Sequence, residues 1–251
     1  MQTKDIVSRD NPTFRLFLRL GKTRGIKKEG LTILSGPKQV DEVLKSFPQH
    51  VEGVIFSTGH EPLSTSRVKD LPRYRLAPDL FRLLDLFDTR QPLLLLRPGP
   101  LPEFSPTRCP TGCTLCIPFQ DPVNVGAVIR SAAAMGVSGI VALKEAAHPF
   151  HPKSLRGAGS TIFRVPVFQG PGIADLNTGG IPLITLSLEG GNLQAFKFPA
   201  TFCLLPGLEG PGIPKTLTPH AQLTIPMATG VDSLNAAVAT AIVLYAWNTA
   251  A

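Results

Sequence analysis

Short apolar runs of strand length alternate with stretches of helical spacing along almost the whole chain. Asn11-Pro12 starts a helix over Thr13 to Leu20, and the basic segment GKTRGIKKEG (21–30) breaks the period and reads as a loop. Leu31 to Leu34 reads as a strand, Pro37 to Phe47 as a helix with its proline in the first turn, and Gly53 to Phe56 as a strand. Tyr74 to Leu76 is a short strand, Pro78 to Leu84 a helix and Pro92 to Leu96 a strongly apolar strand. This alternation predicts a small α/β domain over residues 1–97. The stretch RPGPLPEFSPTRCPTG (97–112) then holds five prolines and breaks every period, which predicts a linker at 98–112 and a second domain at 113–251.

The second domain opens on FQDPVNVGAVIRSAAAMGVSGIVAL (119–143). Leu115 to Phe119 reads as a buried strand broken by Asp121-Pro122, and a helix begins near Asn124, with Val125, Val128, Ile129, Ala132 and Ala133 at helical spacing. Gly136 stops it, and Gly139 to Leu143 is a second strand, giving a β-α-β unit. Asn124 and Arg130 stand out on an otherwise small and apolar helix, at the strand end where open parallel sheets place ligands. A purely structural account makes them an N-cap and a snorkelling surface arginine, and this stretch alone leaves both accounts open. Lys153 to Arg156 reads as a short helix. Phe163 to Phe168, Pro182 to Leu188, Phe202 to Leu205 and Leu223 to Pro226 read as strands. The last helix, Ser233 to Trp247, is apolar on nearly every face, so it must be covered on all sides, and its many alanines suit close helix contact. An obligate homodimer is expected.

Charge changes the picture at one end. The chain carries 25 basic and 18 acidic residues, and most of the excess lies within Met1 to Lys28, where only Asp5 and Asp10 oppose a basic cluster. Arg9, Arg15, Arg19, Lys22, Arg24, Lys27 and Lys28 suit a polyanion such as RNA phosphate. A solvated amphipathic helix accounts for the spacing of Arg15, Arg19 and Lys22 but not for the scarcity of acids. With 43 % hydrophobic residues the chain is globular. No apolar run reaches the roughly twenty residues that span a bilayer. The start, MQTKDIVSRDNP, lacks the apolar core of a signal peptide, so a cytoplasmic location without membrane contact is expected. Cys113-x-x-Cys116 is half a zinc pattern without a matching half, and His148 and His151 are flanked by prolines and lack a third ligand, so no metal is expected.

Three loops share a design in which a strand ends, a Gly/Pro turn exposes backbone groups, and polar side chains follow. They are Asp121 to Arg130, Pro206 to Pro214 with its single acid Glu209, and Pro226 to Asn235 with Asp232, Ser233 and Asn235. Gly207, Gly210 and Gly212 permit close approach of a ligand. No dinucleotide fingerprint, P-loop or GxSxG elbow occurs, which disfavours a nicotinamide-dependent oxidoreductase and leaves a hydrolase as a weak alternative.

Taken together, DPVNVGAVIRSAAAMGV (121–137), LLPGLEGPGI (204–213) and IPMATGVDSLNAAVATAIVLYAW (225–247) resemble the TrmH/SpoU group of the SPOUT superfamily, the RNA 2′-O-ribose methyltransferases. The N-terminal half resembles that group's small α/β RNA substrate-binding domain through SRDNPTFRLFLRL and LSGPKQVDEVL. The resemblance implies an α/β fold with a parallel-sheet SPOUT domain and a deep C-terminal trefoil knot, an exception to the rule that chains do not knot. It implies S-adenosylmethionine held largely by backbone groups at Leu186, Gly207, Ile225, Met227 and Leu234. It places Arg130, Asn124, Glu209, Ser233 and Asn235 on the catalytic positions. The implied activity is methylation of a ribose 2′-hydroxyl in structured RNA, with ribosomal RNA ahead of transfer RNA. The alternative is a catalytically inactive RNA-binding protein that retains the fold. Leu208, Asp232 and the segment RGAGS (156–160) depart from the group's usual pattern.

Overall fold

The computed structural model describes residues 3–59, 70–207, 214, 217–231 and 233–250. They divide into two compact units. The first combines residues up to Pro100 with Phe150–Ser160, and the second combines Leu101–Pro149 with the chain from Thr161 onward.

The first unit contains β1 (Thr3–Ile6), α1 (Pro12–Arg19), α2 (Thr23–Glu29), β2 (Thr32–Leu34), α3 (Pro37–Ser46), β3 (Val51–Ser57), β4 (Arg73–Leu76), α4 (Pro78–Leu84) and β5 (Leu93–Leu96). Its sheet runs β1-β4-β3-β5-β2, with β1, β4 and β3 parallel and β5 antiparallel to both its neighbours. Phe14 and Phe17 of α1 and Leu80, Phe81 and Leu84 of α4 bury against Ile6, Ile55, Leu76 and Leu93 of the sheet. Asn11 caps α1, accepting from the amide of Thr13 at 2.9 Å.

Two of these elements depart from the sequence expectation. The edge strand β1 shows almost no alternation because only Ile6 is buried. The segment 21–30 is helical over α2 rather than a loop. Gly25, which reads as a breaker, lies so close to α1 that a Cβ there would sit 2.0 Å from the carbonyl oxygen of Arg19. The glycine thus permits helix contact, and Gly30 ends α2 in the left-handed region at φ 63°.

A further element of this unit comes from far along the chain. Helix α6 (Pro152–Ala158) packs against β2, although its sequence position places it in the expected 113–251 domain. Thr32 Oγ1 donates to the carbonyl of Phe150 at 2.7 Å, Arg156 Nη1 donates to Gln39 Oε1 at 3.2 Å, and Ser160 Oγ donates to Glu42 at 3.1 Å. The Arg156 guanidinium also lies over the ring of Phe87 at 5.5 Å.

The second unit contains β6 (Gly112–Ile117), α5 (Pro122–Ala134), β7 (Gly139–Ala142), β8 (Val167–Gln169), β9 (Leu183–Asn192), β10 (Thr201–Leu205), β11 (Ala221–Thr224) and α7 (Ala236–Ala250). Its six strands are all parallel in the order β11-β9-β10-β6-β7-β8. The fold is therefore α/β with a parallel sheet. The stretch expected as a linker is ordered against this sheet: Glu103 bridges Gln169, and the amide of Phe104 donates to the Gln169 carbonyl at 2.9 Å. The strand expected at 163–168 is confined to β8, because 159–163 form a 3-10 turn and Pro166 has no amide to donate. Helix α7 lies against β10 and α5, with Trp247 edge-on to Phe202 at 5.8 Å and Asn248 Nδ2 donating to the Met135 carbonyl at 3.1 Å.

Candidate active site

In a parallel sheet all carboxyl ends share one edge, and a ligand crevice opens where the strand order reverses. After β6 the chain adds β7 and β8 on one side, whereas β10, β9 and β11 lie on the other, so the reversal falls between β6 and β10. The expected site residues leave the carboxyl ends of these neighbouring strands. Asn124 follows β6, Leu186 lies on β9, Gly207 follows β10, and Ile225 and Met227 follow β11.

Strand β9 is distorted at this edge. Its register with β11 jumps from Thr185↔Gln222 to Gly191↔Leu223, so Leu186–Gly190 bulges out of the ladder. A Cβ on Gly190 would lie 2.6 Å from the backbone of Leu223, and glycine is what lets the two strands approach. Leu186 is the first residue of this bulge and lies one residue past the last β9–β10 pair, Thr185↔Leu205, and a Cβ on Gly207 would sit 3.3 Å from its carbonyl oxygen.

Asn124 is 9 % exposed but is not the N-cap of α5. Asp121 takes that role, accepting from the amide of Val123 at 2.9 Å, with Pro122 as the first helical residue. Asn235 Nδ2 donates to Asn124 Oδ1 at 3.1 Å, while Asn235 Oδ1 accepts from the amides of Ala237 and Val238 at 2.9 and 3.2 Å. Asn235 thus caps α7 and ties its start to the start of α5. The last helix accordingly begins at Ala236, not at Ser233.

Arg130 stands apart from this pair. Six positions along a helix turn it by about 240° from Asn124. It is exposed and, among the described residues, makes no hydrogen bond or ion pair. Ser233 and Leu234 lie on the exposed segment just before Asn235. Glu209, together with Leu208 and Asp232, lies outside the described residues.

The family model described as SpoU rRNA Methylase family matches residues 115–245, a span that begins in β6 and ends within α7. The chain belongs to this family. Over 246 residues it is 43 % identical to "Ribosomal RNA small subunit methyltransferase G 2" of Syntrophobacter fumaroxidans, an alignment covering 98 % of this chain and 49 % of that protein. The chain thus spans about half the length of that relative. It is 27 % identical to the 23S rRNA (guanosine(2553)-2′-O)-methyltransferase RlmP of Bacillus subtilis, covering 96 % of this chain and 98 % of RlmP. The solved AdoMet-bound rRNA methyltransferase from Sinorhizobium meliloti shares the fold at a TM-score of 0.79 and 20 % identity, covering 99 % of this chain and 98 % of its own.

The SpoU edge fits a bound S-adenosylmethionine on its own features. The Thr185 hydroxyl is fully buried and has no hydrogen-bond partner among the described residues, at the residue before the Leu186 bulge. An orphaned buried hydroxyl is costly unless a ligand or water completes it. Gly207 leaves open the space that a side chain would fill beside the Leu186 carbonyl. Thr185 escaped the sequence analysis because a single threonine inside the apolar run LITL reads as a strand residue. Leu186, Ile225 and Met227 are half-buried.

The first unit carries the basic residues. Arg9, Arg15, Arg19, Lys22, Arg24, Lys27 and Lys28 are all exposed. Arg15 is paired with Asp10, and Arg19 with Glu29 at 3.2 Å. Lys22, Arg24, Lys27 and Lys28 lie on or next to α2 and, like Arg9, have no ion-pair partner among the described residues.

Proposed function

We propose that this chain transfers a methyl group from S-adenosylmethionine to a ribose 2′-hydroxyl of ribosomal RNA. The observation that carries the reading is the Asn124–Asn235 bond at the reversal point of a parallel sheet, within the stretch that matches the SpoU family. The printed activities of RlmP and of the Syntrophobacter relative favour ribosomal RNA over transfer RNA.

The cofactor supplies an activated methyl group on a sulfonium, so no metal is needed to make the donor reactive. Backbone groups of Leu186, Gly207, Ile225, Met227 and Leu234 would hold it, with the Thr185 hydroxyl beside them. The protein's remaining task is to align the 2′-oxygen and stabilise the charge it develops. Arg130 is always protonated, so it is a poor literal base. Its planar fork suits the RNA phosphate next to the target ribose, with that phosphate or a water accepting the proton. Ser233 would orient the ribose, Asn124 and Asn235 fix the start of both helices, and Glu209 would brace the loop after β10. The free cations on and around α2 would bind RNA phosphates, which gives affinity that falls with salt and carries no sequence information.

Two further features belong to this reading. The C-terminal segment would thread a loop to form the trefoil knot of the superfamily. Two copies would pair through α5 and α7: Val238, Ile242 and Tyr245 are 50 %, 36 % and 59 % exposed along one face of α7, and Val123, Ala127 and Arg130 are exposed along one face of α5. An apolar stripe of this kind suits an interface. Incubation with methyl-labelled cofactor and ribosomal RNA from cells lacking the enzyme tests the activity. Label is expected in the RNA, and its absence with protein that binds both ligands favours a binding protein without catalysis.

A further inference from the structure

Sequence crowds Cys109, Cys113 and Cys116 into eight residues and leaves Cys203 far away, but the sheet sorts them differently. In the β6–β10 register Cys113 lies opposite Phe202 and Thr114 opposite Cys203. Alternation along β6 therefore puts Thr114 and Cys116 on the Cys203 face and Cys113 on the other. Cys109 reaches the same place from the segment before β6, with its sulfur 3.0 Å from Thr114 Oγ1. Cys109, Cys116 and Cys203 thus share one apolar cluster with Val141, Leu143 and Leu205.

We propose that Cys109 and Cys203 form a peroxide-sensitive pair that oxidises to an intramolecular disulfide. All four cysteines are free thiols, and only Cys109 is partly exposed, so it is the sulfur that an oxidant meets. Cys203 is fully buried beside it. The Cys116 thiol's hydrogen bond to Cys203 holds that thiol below its ordinary value against the opposing effect of burial, with a smaller contribution from Cys109, and the Cys116 bond remains once Cys109 is oxidised. Burial pushes Cys109 up, so its first oxidation is slow. Cys116 is driven well up by its bond to Cys203 and by burial, and stays a thiol. Among the described residues no group of three or more His, Cys, Asp or Glu is arranged to hold a metal.

In the first step the Cys109 sulfur attacks a peroxide, forming an S–O bond and breaking the O–O bond, with the alcohol or water leaving. The Cys203 thiolate then attacks the Cys109 sulfenic sulfur, forming the S–S bond and releasing water with the second thiol proton. One peroxide is reduced by two electrons and two thiols are oxidised. The bond would fasten the segment before β6 to β10, which ends two residues before Gly207.

The test treats the full chain with hydrogen peroxide, alkylates remaining thiols under denaturing conditions and maps peptides without reduction. The proposal expects a Cys109–Cys203 cross-linked peptide that dithiothreitol releases, with Cys113 and Cys116 alkylated. Cys203→Ser should convert the product to a Cys109 sulfenic acid trapped by dimedone. If that buried substitution fails to fold, Cys109→Ser serves instead and should leave Cys203 unoxidised. A Cys116–Cys203 link, Cys109 over-oxidised without a cross-link, or four unmodified thiols would each overturn it.

Discussion

The amide of Asn235 joins the starts of two helices: its Nδ2 donates to Asn124 Oδ1 at 3.1 Å while its Oδ1 accepts from the amides of Ala237 and Val238. Two roles are combined in one side chain, and substitution separates them. Asn235→Ala removes both, and losing the cap alone costs about 1 kcal/mol of stability. Asn235→Asp keeps the cap and adds favourable charge at a helix N-terminus, but offers Asn124 only acceptors. We expect the aspartate variant to retain most of the thermal stability and to lose methyl transfer, measured by calorimetry and label incorporation. Equal activity in Asn235→Asp and wild type would show that the bond to Asn124 is not required.

Arg130 predicts the opposite pattern. It is exposed and, among the described residues, bonded to nothing, so its substitution should leave stability within about 0.5 kcal/mol. Arg130→Lys keeps the charge and loses the paired donors, and turnover should fall by about a hundred- to a thousandfold. Turnover near wild type with unchanged cofactor binding would remove the planar guanidinium from the mechanism.

The apolar stripe on α7 makes a third separation. Val238 is 50 % exposed in the single chain, so Val238→Glu should change the stability of the isolated chain little. In a dimer the same carboxylate would be buried without a partner and would abolish association. Sedimentation at micromolar concentration should show a wild-type dimer and a variant monomer. A wild-type monomer would contradict the proposed interface.

His151 supplies a pH dependence. It caps α6 through Nδ1, which accepts from the amide of Lys153 at 3.2 Å, and its Nε2 faces the Gly21 carbonyl at 3.2 Å. Burial lowers its pKa below 6.5; nearby Lys153 lowers it too, whereas the Gly21 carbonyl raises it. With the folded value depressed, the unfolded chain binds the proton first as pH falls. The stabilisation is full above the unfolded value and is lost as pH drops from there through the folded value. Thermal midpoints followed from about pH 7.5 to about 5.5 should fall more in wild type than in His151→Asn, which keeps a capping acceptor. Parallel profiles would exclude the histidine as the cause.

The parts of this account that were legible in the sequence are those set by local pattern. The small apolar face of α5 and the strands on either side of it were readable because Val125, Val128, Ile129 and Ala132 keep strict spacing and are buried together. The family motifs pointed to Asn124 and Asn235, whose side chains the structure joins. What escaped depends on contacts between distant segments. The place of Asp121 as the cap left Asn124 for Asn235, and nothing near Asn124 in sequence signals a partner 111 residues away. Helix α2 was hidden by Gly25, whose value lies in its approach to Arg19. The docking of α6 on β2 was hidden by a break in sequence, and the Leu186–Gly190 bulge by an apolar run that reads as regular strand. The uniformly apolar last helix implied burial on every side, and one of its faces is open in the single chain.

The atom that receives the methyl group can be read by one measurement. Ribosomal RNA labelled by the protein with methyl-labelled S-adenosylmethionine is hydrolysed with alkali. A 2′-O-methyl group removes the nucleophile that cleaves the adjoining phosphodiester, so that bond survives. The account predicts that the label appears in an alkali-resistant dinucleotide, which nuclease and phosphatase convert to a single 2′-O-methyl nucleoside. Label in alkali-sensitive mononucleotides, as a methylated base would give, would contradict it.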